Sequence, residues 1–159
     1  MYNLMAELEN FYPENPTIRN TNKYAYNCGG YATGCFHWYL PYDSYETFEA
    51  LEKSINRGEI KTATDFMVNY IKKDFGYKDI FPHQIEKLYK THEIIAFRIS
   101  TNVEYLDWDF HFVKLGKNKS WYEKLGSSQK IERHSFDWVF SVWHQRYDSQ
   151  IYFLAKERP

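Results

Sequence analysis

Cys28 sits in the segment Tyr26-Asn27-Cys28-Gly29-Gly30, where a polar loop gives way to an apolar run. Three of the seven glycines, Gly29, Gly30 and Gly34, lie within six residues of the thiol. A thiol at the start of a helix meets backbone N–H groups that have no intrahelical acceptor. Such groups stabilise a thiolate and could hold an oxyanion forming beside it. Small residues after the sulfur would let a substrate backbone approach. The competing explanation is that Cys28 is a small apolar side chain packed in the core.

A thiol nucleophile needs a base, and six histidines are available. His111 stands mid-strand in Asp109-Phe110-His111-Phe112-Val113, so alternation turns its ring away from both phenylalanines and onto the face of Asp109 and Val113. An imidazole hydrogen-bonded on a sheet surface for structural reasons would give the same pattern. His37, nine residues after Cys28, is expected on another face of the same helix and out of reach. A third residue must accept the ring's other N–H. A turn at Gly116 to Lys119 brings Trp121 to Lys124 beside Asp109 to Val113, which makes Glu123 the first candidate and Asp109 the second. Glu123 paired with Lys124 or Lys114 is the plain alternative.

The elements that would carry these residues follow from periodicity. Leu4, Met5 and Leu8 suggest a short helix, and Pro13 to Asn22 reads as loop. Cys28 to Leu40 is expected as a buried helix ended by Pro41. Ser44 or Asp43 caps a helix carrying Phe48, Leu51 and Ile55, and Thr62 or Thr64 opens another ending near Gly76. A short helix is expected over Pro82 to Tyr89. Strands are then expected at Glu93 to Ile99, Asp109 to Leu115, Ser120 to Leu125 and Gln150 to Ala155. Helices followed by antiparallel strands indicate an α+β fold, in a single domain over 1–159 with a helical block at about 44–89.

Composition narrows the function classes. Twenty basic and 21 acidic residues leave a net charge of -1, so no bulk field favours a phosphate backbone and a nucleic-acid partner is not expected. Lys114 to Lys119 and Lys130 to Arg133 read as solvated charge. Neither CxxC nor HExxH occurs, and the nucleotide-cradling glycine motifs are missing, so neither metal nor cofactor is expected. On one continuous helix Cys28 and Cys35 would stand about 10.5 Å apart, too far for a disulfide. The uncharged stretch Tyr24 to Tyr42 contains Asn27, three glycines, His37 and Pro41, which argues against a membrane span. No signal-peptide pattern opens the chain, so a cytoplasmic location is expected. Aromatic residues make up 20% of the chain and supply either core or a stacking surface, notably over Phe136 to Trp143.

Tyr26-Asn27-Cys28-Gly29-Gly30 resembles the aromatic–Asp–Cys–Ser–Gly block of the NlpC/P60 branch of papain-like cysteine peptidases. In that family the cysteine starts a helix packed on an antiparallel sheet. A strand histidine follows, then a glycine turn, then a third polar residue about a dozen positions on. Here the order is His111, Gly116 and Glu123. The blocks Asn27 to Gly34, Asp109 to Phe112 and Trp121 to Gly126 are also similar to a group of uncharacterised bacterial and phage proteins. Asn27 replaces the family's Asp and Glu123 its usual His; the related CHAP amidases use an acidic third residue.

The resemblance implies a papain-like fold, with N-terminal helices against a C-terminal antiparallel sheet. It implies a thiol hydrolase cutting an amide or isopeptide bond in a peptide or protein, cell-wall peptides being the commonest target and phage lysis one route to them. Cys28, His111 and Glu123 would be catalytic, and Asp109 and Asn27 would orient or hold the oxyanion. Tyr26, Gly29, Gly30 and Trp121 would bind substrate. A thiol acyltransferase or deamidase would use the same site. A non-catalytic binding or inhibitor module, phage- or host-defence-related, would use the same scaffold.

Overall fold

The computed structural model describes residues 26–101, 108–125 and 130–159. The expected Leu4–Leu8 helix, the Pro13–Asn22 loop and Gly126 lie outside them. Helix α1 (Cys28–Thr33) is followed by α2 (Tyr45–Asn56) and α3 (Ile60–Phe75). Strand β1 (Lys78–Ile80) leads through a 3-10 turn (Pro82–Gln84) into the short α4 (Ile85–Leu88). Strands β2 (His92–Ile99), β3 (Phe110–Leu115), β4 (Trp121–Lys124) and β5 (Ile131–His134) come next. A 3-10 segment (Phe136–Phe140) precedes β6 (Tyr152–Glu157). The strands form one antiparallel sheet in the order β1-β6-β2-β3-β4-β5, and the fold is α+β.

Both faces of the sheet are covered, which is why the middle of β2, Ile94-Ile95-Ala96-Phe97, reads as an unbroken apolar run. Ile95, Phe97, Ile99, Phe110 and Phe112 pack with Leu51, Ile55, Met67 and Ile71 from α2 and α3. Ile94, Ala96, Val113, Leu115 and Trp121 turn to the other face, under Val139, Trp143 and Tyr147. Each fully buried aliphatic side chain contributes about 1.5–3 kcal/mol to holding these layers.

The largest departure from expectation is α1. It ends after six residues because Gly34 takes a left-handed conformation (φ 75°) and Phe36 follows at φ 53°. Cys35 and His37 therefore lie beyond the helix, so the helical spacing set for the two cysteines does not hold; both are free thiols. The folded-back chain runs so close that a Cβ on Gly30 would stand 2.0 Å from the His37 carbonyl oxygen. Helix α3 starts before both threonines expected to open it. Strands β1 and β5 are not among the expected elements, though Lys130 and Arg133 are exposed, as expected of solvated charge. Lys114, expected as solvated charge, is instead buried, as is Lys124, with their ammonium groups over the rings of Tyr31 (4.3 Å) and Tyr26 (5.1 Å). Among the described residues, no helix is long and apolar enough to cross a membrane.

Candidate active site

The position of Cys28 is set by the residue before it. Asn27 caps α1, its Oδ1 accepting from the N–H of Gly30 and of Tyr39, both at 3.0 Å. Its Nδ2 donates to the Tyr39 carbonyl at 2.7 Å. One side chain thus closes the first turn and clamps the returning chain against it, leaving Cys28 as the first residue of the helix. The neighbouring sheet is open at this place. Strands β3 and β4 pair only at Lys114↔Tyr122 and Leu115↔Trp121. His111 and Glu123 lie past that short ladder, and α1 packs against both strands.

His111 stands near enough to the Cys28 sulfur to feel its charge, and its Nε2 lies 2.6 Å from Glu123 Oε2. An ionised carboxylate only accepts, so Nε2 carries the proton and Nδ1 is the nitrogen left to face the sulfur. Tyr147 stacks on the imidazole with ring centroids 4.9 Å apart. Burial works against charge on His111. The Cys28 sulfur and Glu123 outweigh it and push the imidazole up to about 10. Burial likewise opposes charge on Glu123, yet His111, His134 and His144 together hold its carboxyl well below the usual carboxylate range.

Glu123 is fully buried and receives three imidazoles. Besides His111, His134 Nε2 approaches Oε1 at 2.8 Å and His144 Nε2 approaches the same oxygen at 2.7 Å. His134 lies flat on Trp138, with centroids 3.7 Å apart, and Trp138 stacks in turn on Trp143. His111, Glu123 and His144 are the kinds of donor that can converge on a metal. Ligand atoms around a tetrahedral ion stand about 3.3 Å apart, given metal–ligand bonds near 2.0 Å. Separations of 2.6 and 2.7 Å are instead those of atoms sharing a proton, and the histidines act as hydrogen-bond donors.

Cys28 and His111 open on a cleft of about 550 Å³. Asp109, His144, Arg146 and Tyr147 form its polar wall, and Trp38, Leu40, Tyr42 and Phe110 its apolar wall. Cys28 is only 4% exposed, and its apolar surroundings include Phe112.

The sequence expectations for Cys28, His111 and Glu123 converge in space, while several others do not. Asp109 accepts from the Tyr147 hydroxyl (2.9 Å) and from the Phe110 N–H (2.8 Å), and so serves the cleft wall rather than the His111 ring. Asn27 uses both side-chain polar atoms for the cap and the clamp. Tyr26 and Trp121 are fully buried, Tyr26 against Phe36 and Trp121 with its indole N–H on the Phe136 carbonyl. Gly29 is wedged against Phe112 and Tyr39, and Gly30 against His37. These four build the core under the site and do not line the cleft.

His134 and His144 were missed. His134 was legible only through β5, whose register sets it opposite Trp121 and so on the face of Glu123. A family-model scan matches no family, and searches of curated proteins and of solved structures return no match.

Proposed function

We propose that the protein is a thiol hydrolase that cleaves an amide or isopeptide bond through Cys28, His111 and Glu123. The observation that carries this reading is the relay itself. A cysteine at a helix start shares a cleft with an imidazole whose Nε2 is fixed at 2.6 Å on a buried carboxylate, and that cleft opens on the sulfur.

In the proposed reaction His111 Nδ1 takes the Cys28 proton, giving a thiolate beside an imidazolium that Glu123 stabilises. The thiolate attacks the carbonyl carbon and the π pair moves to oxygen. The N–H of Cys28, which lines the cleft, belongs to the first turn of α1, where the helix supplies no acceptor, and it receives the oxyanion. His111 then passes its Nδ1 proton to the leaving nitrogen, the C–N bond breaks, and a thioester remains on Cys28. Water, deprotonated by Nδ1, attacks the thioester; the acid leaves and the thiolate is restored.

The chain order Cys28, His111, Glu123, with a cysteine-bearing helix packed on an antiparallel sheet, supports a papain-like arrangement akin to the NlpC/P60 branch. Bacterial cell-wall peptides are the first substrates to try. The test is incubation of wild type and Cys28→Ala with cell-wall stem peptides and with fluorogenic peptidyl and isopeptidyl amides, with intact-mass detection of acyl adducts. Turnover and an adduct mapped to Cys28, both lost in Cys28→Ala, are expected. No cleavage and no adduct across both substrate sets would refute the proposal and leave the scaffold as a binding module.

A further inference from the structure

We infer that His144 is a positioning residue of this site: it locks Glu123 in the orientation that lets the carboxylate hold His111 toward Cys28. The inference rests on the thiol-hydrolase reading and adds a residue that neither the motif order nor the strand pattern reveals.

Hydrogen-bond geometry supplies the first argument. Glu123 has two oxygens; Oε2 meets His111, while Oε1 meets both His134 and His144. Two N–H donors on Oε1 fix the carboxylate plane, and that plane sets where Oε2 can meet His111. A buried carboxylate short of donors would lose its preference for the charged form. His134 is the inner arm, held by β5 and by its stack on Trp138. His144 is the outer arm and lines the cleft.

The backbone supplies the second argument. His144 and Gln145 both have positive φ, 53° and 57°, and the Arg146 N–H donates to the Trp143 carbonyl at 3.1 Å. Two successive left-handed residues inside such a bond describe a type I′ turn, which strongly favours Asn-Gly. His-Gln is a costly sequence for it, and strain of this kind persists where surrounding contacts over-determine the conformation. Trp143, fully buried with its indole N–H on the Val139 carbonyl, anchors one end of the turn. Tyr147, bonded to Asp109 and stacked on His111, anchors the other. Arg98 fastens the loop at the Ser141 and Ser149 carbonyls. The turn aims the His144 ring at Glu123.

The effect is read at Cys28 without any substrate. The groups facing Cys28 that titrate or carry charge are His111 on β3, with Tyr147, Asp109 and Arg146 on the cleft wall, Tyr39 and Tyr42 nearby, and Glu123 with its two further histidines behind. A change at His144 alters one of them. Wild type, His144→Ala, His144→Gln and Gln145→Gly are alkylated with iodoacetamide from about pH 4 to about pH 9. Cys28 and Cys35 peptides are quantified separately by mass spectrometry, and melting curves are recorded alongside. His144→Ala should slow Cys28 labelling near pH 6 about tenfold and displace its pH profile, leaving Cys35 unchanged, because it removes a charge-assisted hydrogen bond. His144→Gln keeps an N–H donor at similar reach, on a residue type that already adopts this conformation next door, and should restore the rate to within about threefold. Gln145→Gly should raise the melting temperature and leave the profile alone.

A His144→Ala profile that superimposes on wild type, with wild-type Cys28 reacting faster than Cys35, overturns the inference alone. Wild-type Cys28 labelling no faster than Cys35 overturns the hydrolase reading as well. Should His144→Ala fail to fold, the folded His144→Gln variant carries the test, and a slow, displaced Cys28 profile in it rejects the inference.

Discussion

Replacing Glu123 by Gln preserves the shape of the side chain and removes what three histidines require of it. The carboxylate accepts three N–H bonds, of 2.6, 2.7 and 2.8 Å. An amide offers one accepting oxygen and one donating NH2. If that oxygen serves His134 and His144, the NH2 faces His111 Nε2, which must become an acceptor. The ring's proton then moves to Nδ1 and points at Cys28, and the base is lost. If the amide is flipped, its NH2 opposes two N–H donors, and both histidines must change tautomer. Neither orientation keeps the negative charge that favours an imidazolium.

The expected cost is on the order of 10³-fold in kcat/KM, or about 4 kcal/mol, the scale of a misoriented triad imidazole. KM should move less than about threefold, since Glu123 is fully buried and does not touch the cleft. Weakening three charge-assisted bonds, offset in part by easier burial of a neutral group, should destabilise the fold by about 3 kcal/mol and lower Tm by roughly 10 °C. Steady-state kinetics and scanning calorimetry read the two effects. A Glu123→Gln enzyme within about threefold of wild type in kcat/KM would refute the reasoning, whatever its Tm.

Other outcomes follow from the same contacts. Because the folded Glu123 carboxyl lies below its ordinary value, the stability it contributes is complete above that value and lost as pH falls through the lower, folded one. His111 is raised, so its contribution is complete below the ordinary imidazole value and lost as pH rises through about 10. Urea unfolding across pH should therefore show wild type's advantage over Glu123→Gln shrinking on the acid side. Its advantage over His111→Ala should shrink on the alkaline side. Gly30→Ala drives a Cβ into the His37 carbonyl and should lower stability by about 3 kcal/mol or more, measured by chemical denaturation. Asp109→Ala frees the Tyr147 hydroxyl but leaves the Glu123 bond to His111 intact. It should cost less than about tenfold in kcat/KM, and a loss matching Glu123→Gln would return the orienting role to Asp109.

Parts of this site were readable from residue spacing and parts were not, for physical reasons. Period-two alternation around His111 separated its ring from Phe110 and Phe112, which pack against the helices. The Gly116 to Ser120 turn put Glu123 within reach of that ring. Alternation also sends Lys124 to the opposite face from Glu123, and Lys114 joins it there through its pairing with Tyr122, which removes the plain ion-pair explanation. The start of the helix at Cys28 was legible where the polar loop gives way to an apolar run, but its end was not. Gly34 inside an apolar run looks like a tolerated interior glycine, and only its left-handed conformation reveals the stop. The long-helix expectation hid the return of Tyr39 onto Asn27, and with it the real work of Gly29 and Gly30. His144 reaches Glu123 from 21 positions away through a turn whose sequence gives no turn signal. No local pattern could have placed it there.

Nitrogen-15 NMR of the His111 ring across pH tests the central claim most directly. Burial alone would drive a lone imidazole below its ordinary value, so a ring that stays protonated well above neutrality needs the Cys28 and Glu123 partners. The account predicts an imidazolium that persists past about pH 8 in wild type and titrates distinctly lower in Cys28→Ala. A ring that loses its proton in the ordinary imidazole range, unchanged by removal of the sulfur, would contradict it.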